Sequence, residues 1–303
     1  MWDCVIIGAG AAGLSAGLTL GRARRTTLAV DSGRPSNAVA RAIGGLLGHD
    51  GRPPLEYYAL ARAELAAYPS VELADGEITA ADRQPDGTYA VTFADGRREQ
   101  ARTLLLAAGM DYRYPPVPGL AELWGGDVFH CPFCHGWEVR DRPTAVLATG
   151  AVGLHGALNL RGYTDDITLL TNGAELSGAH RDQLAAAGVK WNERPLATVE
   201  GAGSRLRAVT FADGTELAVS AMLVKAFLRQ RSTLARDLGA TVSMSNENLG
   251  VEAIAVDPMF RTGVPGLFAA GDAATSIPPS MAAAVASGYL AGASAAVQLT
   301  AGF

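Results

Sequence analysis

Residues 3–31 constrain the fold most. Asp3 to Ile7 is a short apolar run leading into Gly8-Ala9-Gly10-Ala11-Ala12-Gly13; a helical stretch from Leu14 to Arg22 follows, and a second apolar run, Thr27 to Val30, ends at Asp31. Strand, G-x-G-x-x-G loop, helix, strand and acid together make a βαβ unit suited to a dinucleotide. The first glycine permits the tight turn, the second lets the backbone approach a pyrophosphate, and the third lets the helix pack on the strand. The helix N-terminus then faces the anion. Asp31, 23 residues after Gly8, stands where a carboxylate accepts hydrogen bonds from a ribose, and Ser32 beside it joins the same candidate contact.

The remainder of the chain is long enough for a second core. At 303 residues with 49% apolar side chains, two domains are expected. From Val71 to Gly109 short alternating runs with turns at Asp75-Gly76, Asp86-Gly87 and Asp95-Gly96 read as a β-meander or hairpins, closing on a buried strand from Thr103 to Gly109. Tyr114-Pro115-Pro116-Val117-Pro118-Gly119 reads as a hinge. A second βαβ follows, with strands at Thr144 to Ala148 and Ile167 to Leu170, a helix through Ala157 to Arg161, a turn at Asp213-Gly214 and a strand at Ala221 to Val224. The chain is expected to recross near Leu249, since Thr262 to Asp272 is again an apolar strand ending in an acid, with a small-residue helix from about Ser280. The expected architecture is α/β, with two three-layer domains of dinucleotide-binding type. The first is discontinuous, residues 1–115 with 245–303; the second spans 116–244.

Net charge is −5 with no basic cluster, which argues against nucleic acid or an anionic membrane as partner. No apolar run is expected to reach the roughly 20 residues of a membrane span, and a strand starting at about Asp3 leaves no room for a leader. A cytoplasmic protein is expected. In a reducing compartment the run His130-Cys131-Pro132-Phe133-Cys134-His135-Gly136-Trp137-Glu138 is notable, because a C-x-x-C pair there is more often catalytic or metal-binding than structural. Two thiols at this spacing can close a short disulfide, and flanking imidazoles can lower a thiol pKa or take its proton. A metal site held by these cysteines and histidines is the alternative, but adjacent positions around a tight C-x-x-C rarely converge on one ion, so no metal is expected. The third cysteine, Cys4, begins a buried strand and reads as core. Trp137 and Glu138 read as packing residues that could start a strand.

These landmarks, in this order, resemble the low-molecular-weight thioredoxin reductase family over essentially the whole chain. The resemblance rests on the first glycine loop, on Leu105 to Gly109, on the C-x-x-C in the second domain, and on Phe268-Ala269-Ala270-Gly271-Asp272. It implies FAD as cofactor in the first domain, held by Gly8, Gly10, Ala11, Ala12, Gly13, Asp31, Ser32, Ala108, Gly109 and Gly271, with Asp272 on the ribityl chain. It also places Ser280, Met281 and Ala282 where helix N-terminal amides face the flavin pyrimidine, although the family usually has Arg-Gln-Ala there. Asn37 and the run Gly44 to Gly51 fall where the family carries a loop over the flavin ring. The resemblance further implies that Cys134 faces the flavin, that Cys131 is the outer thiol, and that the protein is a homodimer.

Two departures shift the expected activity. The second loop, Ala148-Thr149-Gly150-Ala151-Val152-Gly153, has alanine where the first turn glycine belongs, and Leu170-Thr171-Asn172-Gly173-Ala174-Glu175 lacks the arginines with which the family reads the 2′-phosphate of NADPH. His135 stands where thioredoxin reductases carry an aspartate, and an imidazole can take a thiol proton near neutral pH. The string C-P-[FY]-C-H-G-[WY]-E resembles the branch of FAD-dependent dithiol oxidases that close the disulfides of natural products such as holomycin and gliotoxin and pass electrons to oxygen. The expected reaction is therefore oxidation of a small-molecule dithiol with O2 giving H2O2, using Cys131 and Cys134, with His135 as base and His130 as the weaker candidate. An NAD(P)H-dependent disulfide reductase and a flavin-binding redox sensor are the competing readings.

Overall fold

The computed structural model describes residues 1–246, 250–274 and 279–301. The chain divides into two compact units. Unit 1 comprises residues 1–38, 46–112 and 228–303, and unit 2 comprises 39–45 and 113–227. The return crossing lies at residue 228, not near 245, and seven residues of the first half, 39–45, belong to unit 2. Leu249 lies outside the described residues.

Unit 1 begins with β1 (Trp2–Ile7), α1 (Ala11–Arg22), β2 (Thr27–Asp31), α2 (Pro54–Leu65), β3 (Val71–Asp75), β4 (Ile78–Arg83), β5 (Tyr89–Phe93), β6 (Arg98–Leu106) and β7 (Met110–Arg113). β3, β2, β1 and β6 run parallel side by side, while β4 and β5 pair antiparallel onto the first half of β6 through turns at Asp86-Gly87 and Asp95-Gly96. β3 therefore extends the parallel sheet rather than opening the meander. Its alternating half-buried pattern is that of an edge strand.

Unit 2 carries α3 (Leu120–Leu123), β8 (Val128–Phe129), α4 (Pro132–His135), β9 (Thr144–Leu147), α5 (Gly150–Leu160), β10 (Ile167–Leu170), α6 (Gly178–Ala186), β11 (Lys190–Asn192), β12 (Leu196–Ala202), β13 (Arg205–Phe211), β14 (Glu216–Ala218) and β15 (Ala221–Val224). Its parallel sheet has the order β11-β10-β9-β15-β8, and β12, β13 and β14 form an antiparallel sheet. The central strands β9, β10 and β15 are buried along their whole length, as expected where both faces are covered. Trp137 to Val139 form a 3-10 turn rather than a strand, because Gly136 keeps helical dihedrals and carries the turn on from α4.

The chain re-enters unit 1 through β16 (Phe227–Gln230), α7 (Leu234–Asp237), β17 (Val242–Asn246), β18 (Val251–Ile254), β19 (Leu267–Ala269) and α8 (Met281–Thr300). β19 joins the parallel sheet beside β6, and Ala270 then passes its backbone to Leu106. Contrary to the sequence expectation, α8 is long and apolar enough to cross a membrane by length and composition. Its small-residue face packs on α1 instead. A Cβ at Gly288 would lie 2.8 Å from the Ala12 carbonyl carbon, and one at Gly292 would lie 3.0 Å from the Ala16 Cα, so only glycine allows this approach. Ala284, Ala291 and Ala295 share one core with Leu14, Ala16 and Leu20.

Candidate functional site

The dinucleotide loop of unit 1 has the geometry its glycines require. Gly8 adopts φ +104°, and a Cβ there would lie 2.7 Å from the Ala107 carbonyl carbon. At Gly13 a Cβ would lie 2.9 Å from the Gly8 carbonyl carbon, so α1 sits directly on the turn. Gly10 differs from both, since nothing lies within 4 Å of its missing Cβ. Its open face leaves room where a pyrophosphate would fit. α1 begins there with neither a capping side chain nor an acid in its first turn, and with Ala11 and Ala12 buried behind it.

Asp31 closes β2. Its Oδ1 accepts the Gly33 N–H at 2.9 Å and its Oδ2 accepts from Arg62 at 2.7 Å; Arg62 also reaches Asp75 at 2.9 Å. Asp31, Ser32, Gly33, Arg34, Asp75 and Glu77 line a cavity of about 360 Å³. A ribose would enter here against a carboxylate already oriented by a guanidinium. Arg62, 31 residues away on α2, carries no local signal in the sequence.

Asp272 follows β19 and is half-buried. Burial pushes its carboxyl up to about 6, while the Tyr112 hydroxyl, 3.4 Å away, works the other way. A carboxylate whose one donor among the described residues makes this long contact has acceptor capacity to spare, which suits a polyol. Gly271 takes φ +72°, its N–H donates to Ser287 Oγ at 2.9 Å, and Gly109, after β6, takes φ +72° beside the half-buried Ala108. At the start of α8 the Ser280 side chain accepts the Ala283 N–H at 3.1 Å, so Ser280 serves as the helix cap. Ala282 is exposed. The Met281 sulfur accepts from Asn37 Nδ2 at 3.2 Å and lies 3.5 Å from the Tyr58 hydroxyl, which donates to Asn37 Oδ1 at 2.8 Å. Asn37 and Met281 are thereby brought together, with Tyr58 as a partner that sequence reasoning missed.

In unit 2, β8 delivers His130 and Cys131 directly into α4. The Cys134 and His135 N–H groups both return to the Cys131 carbonyl at 3.2 Å, which folds the two thiols into one turn. Both cysteines are free thiols, Cys131 buried and Cys134 partly so. A hydrogen bond from the Cys134 thiol, aided by the Cys134 and Phe133 N–H groups, holds the Cys131 thiol below its ordinary value against burial. Cys131 is thus the thiol poised to ionise. Cys4 contrasts with it, since burial pushes its thiol up to about 12 and leaves it an inert core residue.

The two histidines separate. His130 stacks on Trp124 at 5.7 Å, and burial, with the charges of His135 and Lys225, pushes it down to about 3. So weakly basic a ring draws a thiol proton poorly, which argues for a packing role and against its use as base. His135 stacks on Phe129 at 5.6 Å with both ring nitrogens buried and without hydrogen-bond partners among the described residues. Burial lowers its pKa also, partly offset by the Cys131 carbonyl, so it is neutral at pH 7 with a lone pair to offer. Lys225, one of two lysines in the chain, follows β15 and is pushed down to about 8 by burial. No sequence pattern singles it out. Among the described residues no group of three or more His, Cys, Asp or Glu could hold a metal ion.

The second loop is built differently from the first. Ala148 stays out of the left-handed region, and Gly150 takes φ +56° at the first turn of α5. After β10, Thr171 donates to the Ala174 carbonyl, and Asn172 Oδ1 accepts the Leu196 N–H at 2.7 Å. Arg181 on α6 places Nη2 3.0 Å from both Glu193 oxygens and 3.6 Å from Glu175. Its guanidinium is already clasped by carboxylates.

A dinucleotide-binding unit with a half-buried acid after its last strand, and a second unit of like plan bearing a C-x-x-C turn, define a flavin-dependent disulfide oxidoreductase. Residues 2–288 match the family described as pyridine nucleotide-disulphide oxidoreductase. The chain is 32% identical to a protein named thioredoxin reductase tcpT of Claviceps purpurea, covering 99% of this chain and 94% of the other. Among solved structures, an oxidoreductase from Agrobacterium tumefaciens superposes with TM-score 0.92 at 36% identity, covering 100% of this chain and 99% of that one. The structure of HlmI superposes with TM-score 0.92 at 33% identity, covering 99% and 93%. The chain belongs to the pyridine nucleotide-disulphide oxidoreductase family, among its thioredoxin reductase-like, FAD-binding enzymes.

Proposed function

We propose that the protein is an FAD-dependent dithiol oxidase that closes an intramolecular disulfide in a small natural-product dithiol, with dioxygen as final acceptor and hydrogen peroxide as co-product. The observation that carries this reading is the second loop: its first turn position is alanine, no arginine stands in the run Leu170 to Glu175, and Arg181 on the following helix is bound by Glu193 and Glu175. A site so arranged offers poor purchase to NADPH. Reducing equivalents then enter from the thiol side.

The cycle begins with Cys131 and Cys134 joined as a disulfide. His135 takes the proton of the first substrate thiol, and the thiolate attacks the Cys131 sulfur. The Cys131–Cys134 bond breaks, and Cys134 leaves with the electron pair. The Cys134 thiolate takes the proton of the second substrate thiol; the resulting thiolate attacks the substrate sulfur bonded to Cys131, which forms the cyclic disulfide product and expels Cys131 as thiolate. The Cys134 thiol that donates to Cys131 in the reduced pair stabilises this leaving group. When bound, FAD supplies a two-electron store that reoxidises the dithiol and reduces dioxygen. Gly10, Asp31 and Asp272 are the residues that would hold it.

Single Cys131→Ser and Cys134→Ser variants test the scheme with a small aromatic dithiol in air. Each is expected to lower disulfide formation and peroxide release at least about a thousandfold, since each removes a covalent partner. Wild-type rates in either variant contradict the reading.

A further inference from the structure

We propose that residues 39–45 form a strap that positions the redox dithiol, with Gly44 as its contact and Arg41 as its latch. The flanks of this segment, up to residue 38 and from 46 onward, lie in unit 1, whereas the segment itself packs within unit 2. Gly44, which opens the run that the resemblance places over the flavin, lies against the dithiol turn. A Cβ at Gly44 would overlap the Cys134 carbonyl oxygen and lie 2.9 Å from its carbon and 3.1 Å from its Cα. Gly44 has no left-handed φ, so the requirement is for space alone.

The other end of the strap sits in a seat made by Gly125, Gly126 and Asp127, just before β8. A Cβ at Gly125 would lie 2.7 Å from Val39 Cγ2, and one at Gly126 would lie 3.2 Å from Arg41 Nη2. Arg41 Nη2 donates to the Ser204 carbonyl at 2.8 Å and to its Oγ at 2.6 Å, Nε donates to the same Oγ at 3.1 Å, and Nη1 lies 3.4 Å from Asp127 Oδ1. Asp127 is buried and also receives Arg142 at 3.2 Å, Arg205 at 3.7 Å and the Leu206 N–H at 3.0 Å. The strap therefore brackets the stretch from Gly125 to Cys134, which contains β8 and both cysteines. A tight backbone contact at one end and a guanidinium holding four acceptor contacts at the other fix where the Cys134 peptide lies. That peptide sets the hydrogen bonds converging on Cys131. Arg41 and Gly44 are thus positioning residues that act through Cys134.

The test is the pH profile of Cys131 alkylation by iodoacetamide in the reduced holoenzyme, followed by peptide mass spectrometry over about pH 5 to 9. It needs neither substrate nor electron acceptor, so it fails independently of the oxidase reading, on which the inference draws only for the importance of Cys131. In Arg41→Ala and Gly44→Ala the titration midpoint is expected to move up, with the rate at neutral pH falling roughly threefold to tenfold. Arg41→Ala leaves Asp127 paired with Arg142 and Arg205, so this variant retains a folded unit 2. A profile for Arg41→Ala superimposable on that of the parent overturns the proposal, whether or not Gly44→Ala folds.

Discussion

The two nucleotide loops of this protein share one plan and differ where a ligand would touch them. Gly13 and Gly153 occupy the same place, each so close to the loop below that a Cβ would meet main chain, at 2.9 Å from the Gly8 carbon and 2.8 Å from the Ala148 oxygen. These are packing positions, and both units need them to seat a helix on a strand. At the turn the loops part. Gly8 takes φ +104° whereas Ala148 avoids the left-handed region. Beyond the next strand, Asp31 lines a cavity while Thr171 and Asn172 spend their side chains on the backbone. A dinucleotide-binding fold can therefore keep its packing residues while its turn glycine and the side chains beyond the next strand differ. On the proposed reading unit 2 serves as a scaffold for the dithiol.

The sharpest way to break this comparison is to crowd both loops. Gly13→Ala is expected to abolish flavin retention, because the added methyl meets the Gly8 peptide that shapes the pyrophosphate turn. Gly153→Ala is expected to cost about 1–3 kcal/mol of stability with the flavin-to-protein absorbance ratio unchanged. Equal flavin loss in both variants would erase the distinction between the loops. A smaller effect concerns pH. His130 in unit 2 is lowered to about 3 from an ordinary 6.5, so its contribution to stability is complete above pH 6.5 and is lost as pH falls toward 3. Thermal melts of the parent should lose up to about 1.4 kcal/mol for each pH unit below 6.5 from this group. His130→Gln should flatten that slope. Asp272 in unit 1 has the opposite sign. Its carboxyl is raised to about 6, so the flavin-stripped protein loses stability as pH rises through that value, and Asp272→Asn removes the loss.

Much of this was legible in the sequence because it is local. The loop Gly8 to Gly13, the acid Asp31 and the C-x-x-C turn each declare themselves within a few residues. The partners that complete the sites do not. Arg62 reaches Asp31 across 31 residues, Tyr112 reaches Asp272 across 160, and Arg41 reaches Asp127 across 86. Only folding brings them together. The return crossing at β16 has little local signal, since the strand is four residues long and its apolar pair Phe227-Leu228 is followed at once by Arg229 and Gln230. Trp137 opens a turn rather than a strand because Gly136, ordinarily a helix stop, keeps helical dihedrals here. Burial moves the His135 imidazole below its ordinary value, and that burial is set by residues that no local pattern reveals.

The direction of electron entry is the central claim, and an anaerobic reduction of the yellow holoenzyme tests it directly. NADPH, NADH and a small aromatic dithiol are each added separately while the flavin absorbance is followed. The account predicts bleaching by the dithiol and none by either nicotinamide nucleotide. Bleaching by NADPH with no response to the dithiol would contradict it.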